Sequence, residues 1–315
     1  MQSPAPFSTL AKYTFLILLI SCGRGGGDSK TQVPVASGTA ASGSANSVLQ
    51  ATAGADTTSA LGSTGNAATP GTSSGLVPPT AEAAAEAITV TARTSECARR
   101  DWPDRGQAPA GYMVGMALTY ARNYCAVLRN AQDATATIAA PILPQSEETD
   151  ALAHYGRSDS TAPERLRALF ALLTGLGMRE STGNTTEGRD LEVTNPTAEN
   201  AEAGLFQTSF DSFNVTPWFA AMKADFSADP AMCLLPQFLE NVTDMQRPIV
   251  GNGPGAEYQV FVKQCPSYAA NYAALMLRLE RNHFGPINTQ KAEIADVCLS
   301  MLQRVETIAQ HVCVK

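Results

Sequence analysis

From Leu16 to Asp101 the chain contains no Phe, Trp or Tyr. This gap limits where a fold can form. Large aromatic side chains supply much of the burial that offsets ordering entropy. The stretch from Gly23 to about Ala92 is instead mostly Ala, Gly, Ser, Thr and Pro. Such a composition predicts a disordered tether. A Gly/Ser-type coil of about 70 residues has a mean span on the order of 45 Å. One or two helical turns over Thr80–Ala87 are the only order expected in it. Gly71-Thr72-Ser73-Ser74-Gly75 has the pattern of a nucleophile elbow. That motif needs a strand before it and a helix after it, and neither is expected here. A folded domain is expected over residues 93–315, long enough for one good core.

The seven cysteines divide along the same line. Cys22 closes the run Phe15-Leu16-Ile17-Leu18-Leu19-Ile20-Ser21-Cys22, behind a short region whose one side-chain cation is Lys12. An apolar core of about eight residues in that setting is a secretory signal, too short to span a bilayer. Leu19-Ile20-Ser21-Cys22 resembles the bacterial lipobox. The resemblance implies a signal peptide over residues 1–21, cleavage before Cys22, lipid on the Cys22 thiol, and a lipid-anchored linker over residues 22–92. Two or three acyl chains anchor stably where one holds only marginally. Gly23, where an inner-membrane lipoprotein would carry Asp, implies the outer membrane, facing the periplasm or the cell surface.

Cys97, Cys125, Cys233, Cys265, Cys298 and Cys313 lie in the domain. Six cysteines in an exported chain suggest three disulfides, with fifteen connectivities open. Short separations make Cys97 with Cys125, Cys233 with Cys265 and Cys298 with Cys313 the simplest pairing. No pair has Cys-x-x-Cys spacing, and His154, His283 and His311 are scattered, so neither a metal nor another cofactor is expected. A formal charge of -7 argues against a nucleic-acid partner.

Helical patterning dominates the domain. Met113, Met116, Ala117, Tyr120, Tyr124 and Val127 recur near the helical period across Gly111–Arg129. Thr161-Ala162-Pro163-Glu164 has capping-box spacing and precedes Leu166, Leu169, Phe170, Leu173 and Leu176 on one face, widened by Leu172. This most apolar segment runs through Gly175 and Gly177 to Glu180, which predicts a buried helix ending beside a carboxylate. Residues 181–200 are polar and Gly-rich, as in loops or a short hairpin. Further helices are expected over Thr216–Ala224, Cys233–Asp244, Ser267–Asn282 and Thr289–Val312. Gly251–Gly255 reads as a loop, His283–Asn288 as a helix stop, and Trp102 and Trp218 as core. The expected class is mainly α (α+β), with a small loop or β insertion.

Glu180 is the residue on which chemistry converges. A carboxyl group at the end of a buried helix, near the negative pole of its dipole, is disposed to keep its proton and act as a general acid. Glu180-Ser181-Thr182-Gly183, followed by Ala203-Gly204-Leu205-Phe206-Gln207-Thr208-Ser209, resembles the paired motifs of the lysozyme-like superfamily, nearest in pattern to soluble lytic transglycosylases. Tyr268-Ala269-Ala270-Asn271-Tyr272 is a weaker echo of that family's later Ala-Tyr-Asn region. The resemblance implies that Glu180 protonates the glycosidic oxygen, that Ser181 and Gln207 belong to the substrate-binding segments, and that Tyr268 or Tyr272 orients the carboxyl group. The separation of Glu180 from Gly204 is longer than the simple family pattern, and the insert carries Glu187, Asp190, Glu192, Glu199 and Glu202. A lytic transglycosylase needs one carboxylate, because the substrate's N-acetyl group assists; a hydrolase usually needs two. Asp190 is the best second candidate, in the polar turn after Glu187.

The resulting expectation is a lipid-anchored glycosidase acting on β-1,4 links of peptidoglycan, either a lytic transglycosylase or a muramidase. Two alternatives remain open. One is a hydrolase of a related amino-sugar polymer, chitin or chitosan, the cationic chitosan suiting the acidic charge. The other is a surface lipoprotein that binds glycan or a partner without cleaving it.

Overall fold

The computed structural model describes residues 80–157, 160–188, 194–240 and 248–313. Cys22, the segment expected to be a tether up to residue 79, Asp190 and Glu192 lie outside the described residues. The chain forms α1 (Ala81–Thr94), α2 (Glu96–Arg99), β1 (Asp101–Trp102), β2 (Gly106–Gln107), α3 (Ala110–Leu128), α4 (Ala134–Ile138), α5 (Ala151–His154) and α6 (Ala162–Ser181). It continues as α7 (Trp218–Ala228), α8 (Leu235–Phe238), α9 (Pro254–Gln264), α10 (Pro266–Leu279), α11 (Gly285–Asn288) and α12 (Asp296–Cys313). The fold is mainly helical. β1 and β2 form a two-residue antiparallel hairpin, with Asp101 opposite Gln107 and Trp102 opposite Gly106.

The centre of the unit is α6, packed against α3, α10 and α12. Its start is fixed by a complete capping box: Glu164 Oε2 accepts from the Thr161 amide at 2.7 Å, and Thr161 Oγ1 accepts from the Glu164 amide at 3.4 Å. Leu166, Leu169, Phe170, Leu172, Leu173 and Leu176 are all fully buried. The glycines of the same helix are points of close approach. A Cβ on Gly177 would lie 2.4 Å from the Tyr112 hydroxyl oxygen of α3, and one on Gly175 would lie 3.0 Å from the Trp102 ring. Tyr112 in turn reaches the Leu173 and Thr174 carbonyls at 3.1 and 2.9 Å, tying α3 to the last turns of α6.

Two helices extend what the sequence suggests. α1 starts at Thr80, whose hydroxyl accepts from the Ala83 amide, and buries Ala84, Ile88 and Ala92 against α3 and α12. The folded unit therefore begins one helix before the expected boundary at residue 93. Ala84 and Ala92, one turn to either side of Ile88, carry little hydrophobic signal, yet they let two helices approach closely. α9 begins inside the segment read as a loop: Gly253, at φ 76°, precedes Pro254 in the first turn. Proline is preorganised for that position and lacks only an amide that would be unpaired there anyway. A Cβ on Gly255 would fall 2.3 Å from the Ala198 carbonyl oxygen, so α9 rests directly on the backbone of the polar insert.

Three disulfides close the unit. Cys233–Cys265 follows the simplest pairing, whereas Cys97–Cys298 and Cys125–Cys313 replace the two other local pairs. The physical reason is the course of α12, which lies along α1, α2 and α3. Cys298 at its start meets Cys97 of α2, and Cys313 at its end meets Cys125 of α3. Three bridges accord with an oxidising, exported environment. No helix among the described residues is long and apolar enough to cross a membrane.

Candidate active site

Glu180 occupies the last turn of α6 and is half-buried. The helix stops just after it. Thr182 takes a left-handed conformation (φ 56°, ψ 30°), and the amides of Thr182 and Gly183 fold back to the carbonyls of Met178 and Gly177 at 3.1 Å each. Gly183 continues at φ 74° with its α-carbon against Pro109 and Tyr112, where a Cβ would meet both at 3.0 Å. The end of α6 is thus clamped by the start of α3, and Glu180 is held on a rigid element.

Ser181 joins this end to the second motif. Its hydroxyl is buried and lies 3.1 Å from the Gly177 carbonyl and 2.9 Å from the Leu205 carbonyl, so it sits between α6 and the backbone of the Gly-Leu-Phe-Gln segment. That segment is a tight reversal. Ala203 and Thr208 pair as an antiparallel bridge, and Gly204 at φ 74° lies against Val262. Leu205 and Phe206 are fully buried, and Gln207 turns back at φ 47° with Nε2 donating to the Gly204 carbonyl at 3.0 Å. The Gly204 amide donates to the Glu187 carbonyl at 2.8 Å, which binds the insert to the same reversal. Glu187 is buried.

Behind this lies a stack of phenols from α9 and α10. Tyr258 donates to Thr208 Oγ1 at 2.9 Å, and Tyr272 reaches the Ser209 carbonyl at 3.4 Å while stacking on Phe219 with centroids 3.9 Å apart. Burial pushes both hydroxyls above the ordinary phenol range, so they stay protonated donors at every ordinary pH. Gln207, Thr208, Ser209 and Tyr272 line a small hollow of about 50 Å³ with Glu202 and His283. It is far below the ~300 Å³ of a typical ligand cleft, and so suits the reach of one polar group. Tyr268 sits elsewhere: it is fully buried, points its hydroxyl at the Phe219 carbonyl 3.5 Å away, and packs edge-on against Phe226 and Phe261.

Of the residues singled out from sequence, Ser181, Gln207 and Tyr272 are linked through one run of backbone, residues 203–209, and Glu180 precedes Ser181 in α6, while Tyr268 belongs to the core behind that run. Asp190 lies outside the described residues. Tyr112, Thr208 and Tyr258 were not foreseen as supports. Their partners are between 50 and 62 residues away in sequence, beyond any local pattern. Among the described residues no three His, Cys, Asp or Glu side chains gather as a metal site. Comparison with protein-family models, curated proteins and solved structures finds no match for the chain.

Proposed function

We propose that this is a cell-wall glycosidase that opens β-1,4 links of peptidoglycan, with Glu180 as the general acid/base. One observation carries the reading: the Ser181 hydroxyl lies 2.9 Å from the Leu205 carbonyl, fastening the Glu-Ser end of a buried helix onto the Gly-Leu-Phe-Gln reversal. That fastening holds the end of α6, with Glu180 next to Ser181, against the segment whose Gln207, Thr208 and Ser209 line a small polar hollow together with Tyr272 and Glu202. In such a site Glu180 protonates the leaving glycosidic oxygen and afterwards takes a proton back from the attacking hydroxyl. That hydroxyl belongs to the same sugar in a transglycosylase and to water in a hydrolase. The three disulfides fit the exported location this substrate requires, and a lipid on Cys22 would hold the enzyme at the outer membrane.

The test is release of soluble fragments from purified peptidoglycan by wild type and Glu180→Gln. Removal of one general acid is expected to lower the rate by about 10²-fold to 10⁴-fold, with an unchanged melting temperature. Equal rates in a folded variant would overturn the assignment. Product mass then separates anhydro ends, made with one carboxylate, from reducing ends, which call for a second.

A further inference from the structure

A second cleft, of about 420 Å³, opens between α3, α4, α7 and α10 and shares no lining residue with the hollow beside Gln207. Its volume lies within the range of ligand pockets. Its floor is unusual in being polar and buried: Thr119, Asn123, Thr135, Ser267 and Asn271 are each at most 8% exposed. Their hydrogen bonds run in one direction. Asn123 Nδ2 donates to the Thr119 carbonyl at 3.2 Å and to Asn271 Oδ1 at 2.6 Å, and Asn123 Oδ1 accepts from Thr135 Oγ1 at 3.1 Å. Asn123 is therefore fully used and fixes the Asn271 amide, whose oxygen faces Asn123 and whose Nδ2 has no partner among the described residues. This N–H is open to the cleft, where a ligand carbonyl can accept from it in place of water.

Ser267 supplies the opposite polarity. Thr119 Oγ1 lies 2.8 Å from the Gly115 carbonyl and 3.0 Å from Ser267 Oγ. A hydroxyl has one hydrogen. With that of Thr119 given to the carbonyl, Ser267 donates to Thr119, and its remaining lone pairs are left to accept. The floor thus offers one donor and one acceptor on adjacent turns of α10, bordered by the buried apolar side chains of Ile138, Met222 and Phe226. Trp218 is half-buried on the same wall, and Arg122 and Asp225 stand exposed at the rim.

We propose that this cleft is a second glycan site, taking the acetamido group of an N-acetylated hexosamine. The acetamido carbonyl accepts from Asn271 Nδ2, its N–H donates to Ser267 Oγ, and its methyl rests on the apolar wall. The pyranose ring lies along the Trp218 indole, with ring hydroxyls turned to the charged rim. Charges of both signs at the rim match hydroxyls, which donate and accept, better than they match an extended peptide.

The site does not depend on Glu180, and its test is built accordingly. Binding of the β-1,4-linked N-acetylglucosamine trimer is measured by tryptophan fluorescence and calorimetry on the full-length Glu180→Gln protein, with the trimer checked for cleavage afterwards. Cellotriose, which lacks the acetamido group, and N-acetyl-alanyl-alanine amide, which has the amide without a sugar, are run beside it. Saturable trimer binding is expected, at least about tenfold weaker in Asn271→Asp and in Trp218→Ala. Cellotriose and the peptide are expected to bind at least about tenfold more weakly than the trimer. Trimer affinity unchanged by both substitutions overturns the proposal, as does cellotriose or peptide binding as tight as the trimer's. Thermal unfolding reports whether each variant folds, and Trp218→Ala, which removes no buried hydrogen bond, decides the matter should Asn271→Asp not fold.

Discussion

Glu306 of α12 accepts from the Tyr120 hydroxyl and from Arg167 Nη1, the latter at 3.0 Å, yet its carboxyl is pushed above the ordinary glutamate value of 4.5. Burial is the largest cause and outweighs the lowering by Tyr120 and Arg167. The folded state therefore holds this proton more tightly than the unfolded chain does. Its contribution to stability is complete below the ordinary value and is lost as pH rises through the raised one. Glu164, held down by the Thr161 amide and hydroxyl, has the opposite sign: its contribution is present above the ordinary value and lost as pH falls through the lowered one. Melting temperatures of wild type and Glu306→Gln from pH 4 to 7 test this. The variant is expected to gain on wild type as pH rises, and parallel curves would contradict the assignment. A second residue-scale prediction concerns Arg278, whose Nε donates to Asp150 Oδ2 at 2.8 Å with both side chains at most 4% exposed. Arg278 also serves the Ile138 and Ala140 carbonyls, and Asp150 caps α5 through the Leu152 amide. Arg278→Leu strands a buried carboxylate and two backbone carbonyls, so chemical denaturation is expected to show a loss of about 3–5 kcal/mol.

At the scale of elements, α6 shows how a helix can be legible in sequence while its setting is not. Its capping box, its apolar face and its end near Glu180 are local features, each written within a few residues. Gly175 and Gly177 carry no such message. They matter only because Trp102 and Tyr112 press on them. Gly177→Ala places a methyl group 2.4 Å from a Tyr112 hydroxyl that is itself anchored to α6. Overpacking of this kind costs about 1–3 kcal/mol. It also pushes the last turn of α6 off α3, so glycan release is expected to fall together with the melting temperature; a variant of full activity and stability would show that the contact relaxes without moving Glu180. The same division holds elsewhere. α3 and α10 were foreseen near their observed bounds because large apolar residues recur along them. Only the first turns of α1 are legible, over Thr80–Ala87, because its buried face is Ala84, Ile88 and Ala92 within an alanine- and threonine-rich run, and α9 is not, because Gly253-Pro254-Gly255 spells a loop until Pro254 is placed in a first helical turn. In the candidate site, the Glu-Ser and Gly-Leu-Phe-Gln segments could be singled out in advance. The bond between them, from Ser181 to Leu205, spans 24 residues and a polar insert.

For the molecule as a whole, the decisive long-range feature is the path of α12, the last helix, back along the first three. Local pairing of cysteines would have left α12 stapled only to itself, through Cys298 and Cys313. Instead its two ends are bonded to Cys97 and Cys125, across 201 and 188 residues of chain. Each such bond restricts nearly the whole folded unit in its unfolded state, which in the chain-entropy account is worth about 5 kcal/mol, against about 3–4 kcal/mol for the 32-residue loop of Cys233–Cys265. The two long loops overlap almost completely, so removing one still leaves the other holding the chain, and the separate values do not add. The connectivity is open to direct test because Arg304 lies between the two cysteines of α12. Trypsin under non-reducing conditions is expected to leave Thr94–Arg99 joined to Ala292–Arg304, and Asn123–Arg129 joined to Val305–Lys315, with no alkylatable thiol among the six cysteines. Ala292–Arg304 joined to Val305–Lys315 would instead restore the local pairing. Such a link would detach α12 from α2 and α3 and leave Tyr120 and Arg167 without the covalent bracket that holds Glu306 against them. With the crossed pairs in place, a Cys97→Ala, Cys298→Ala double variant is expected to lose less than the full value of its loop while Cys125–Cys313 remains, and to unfold far more readily once that second bond is reduced.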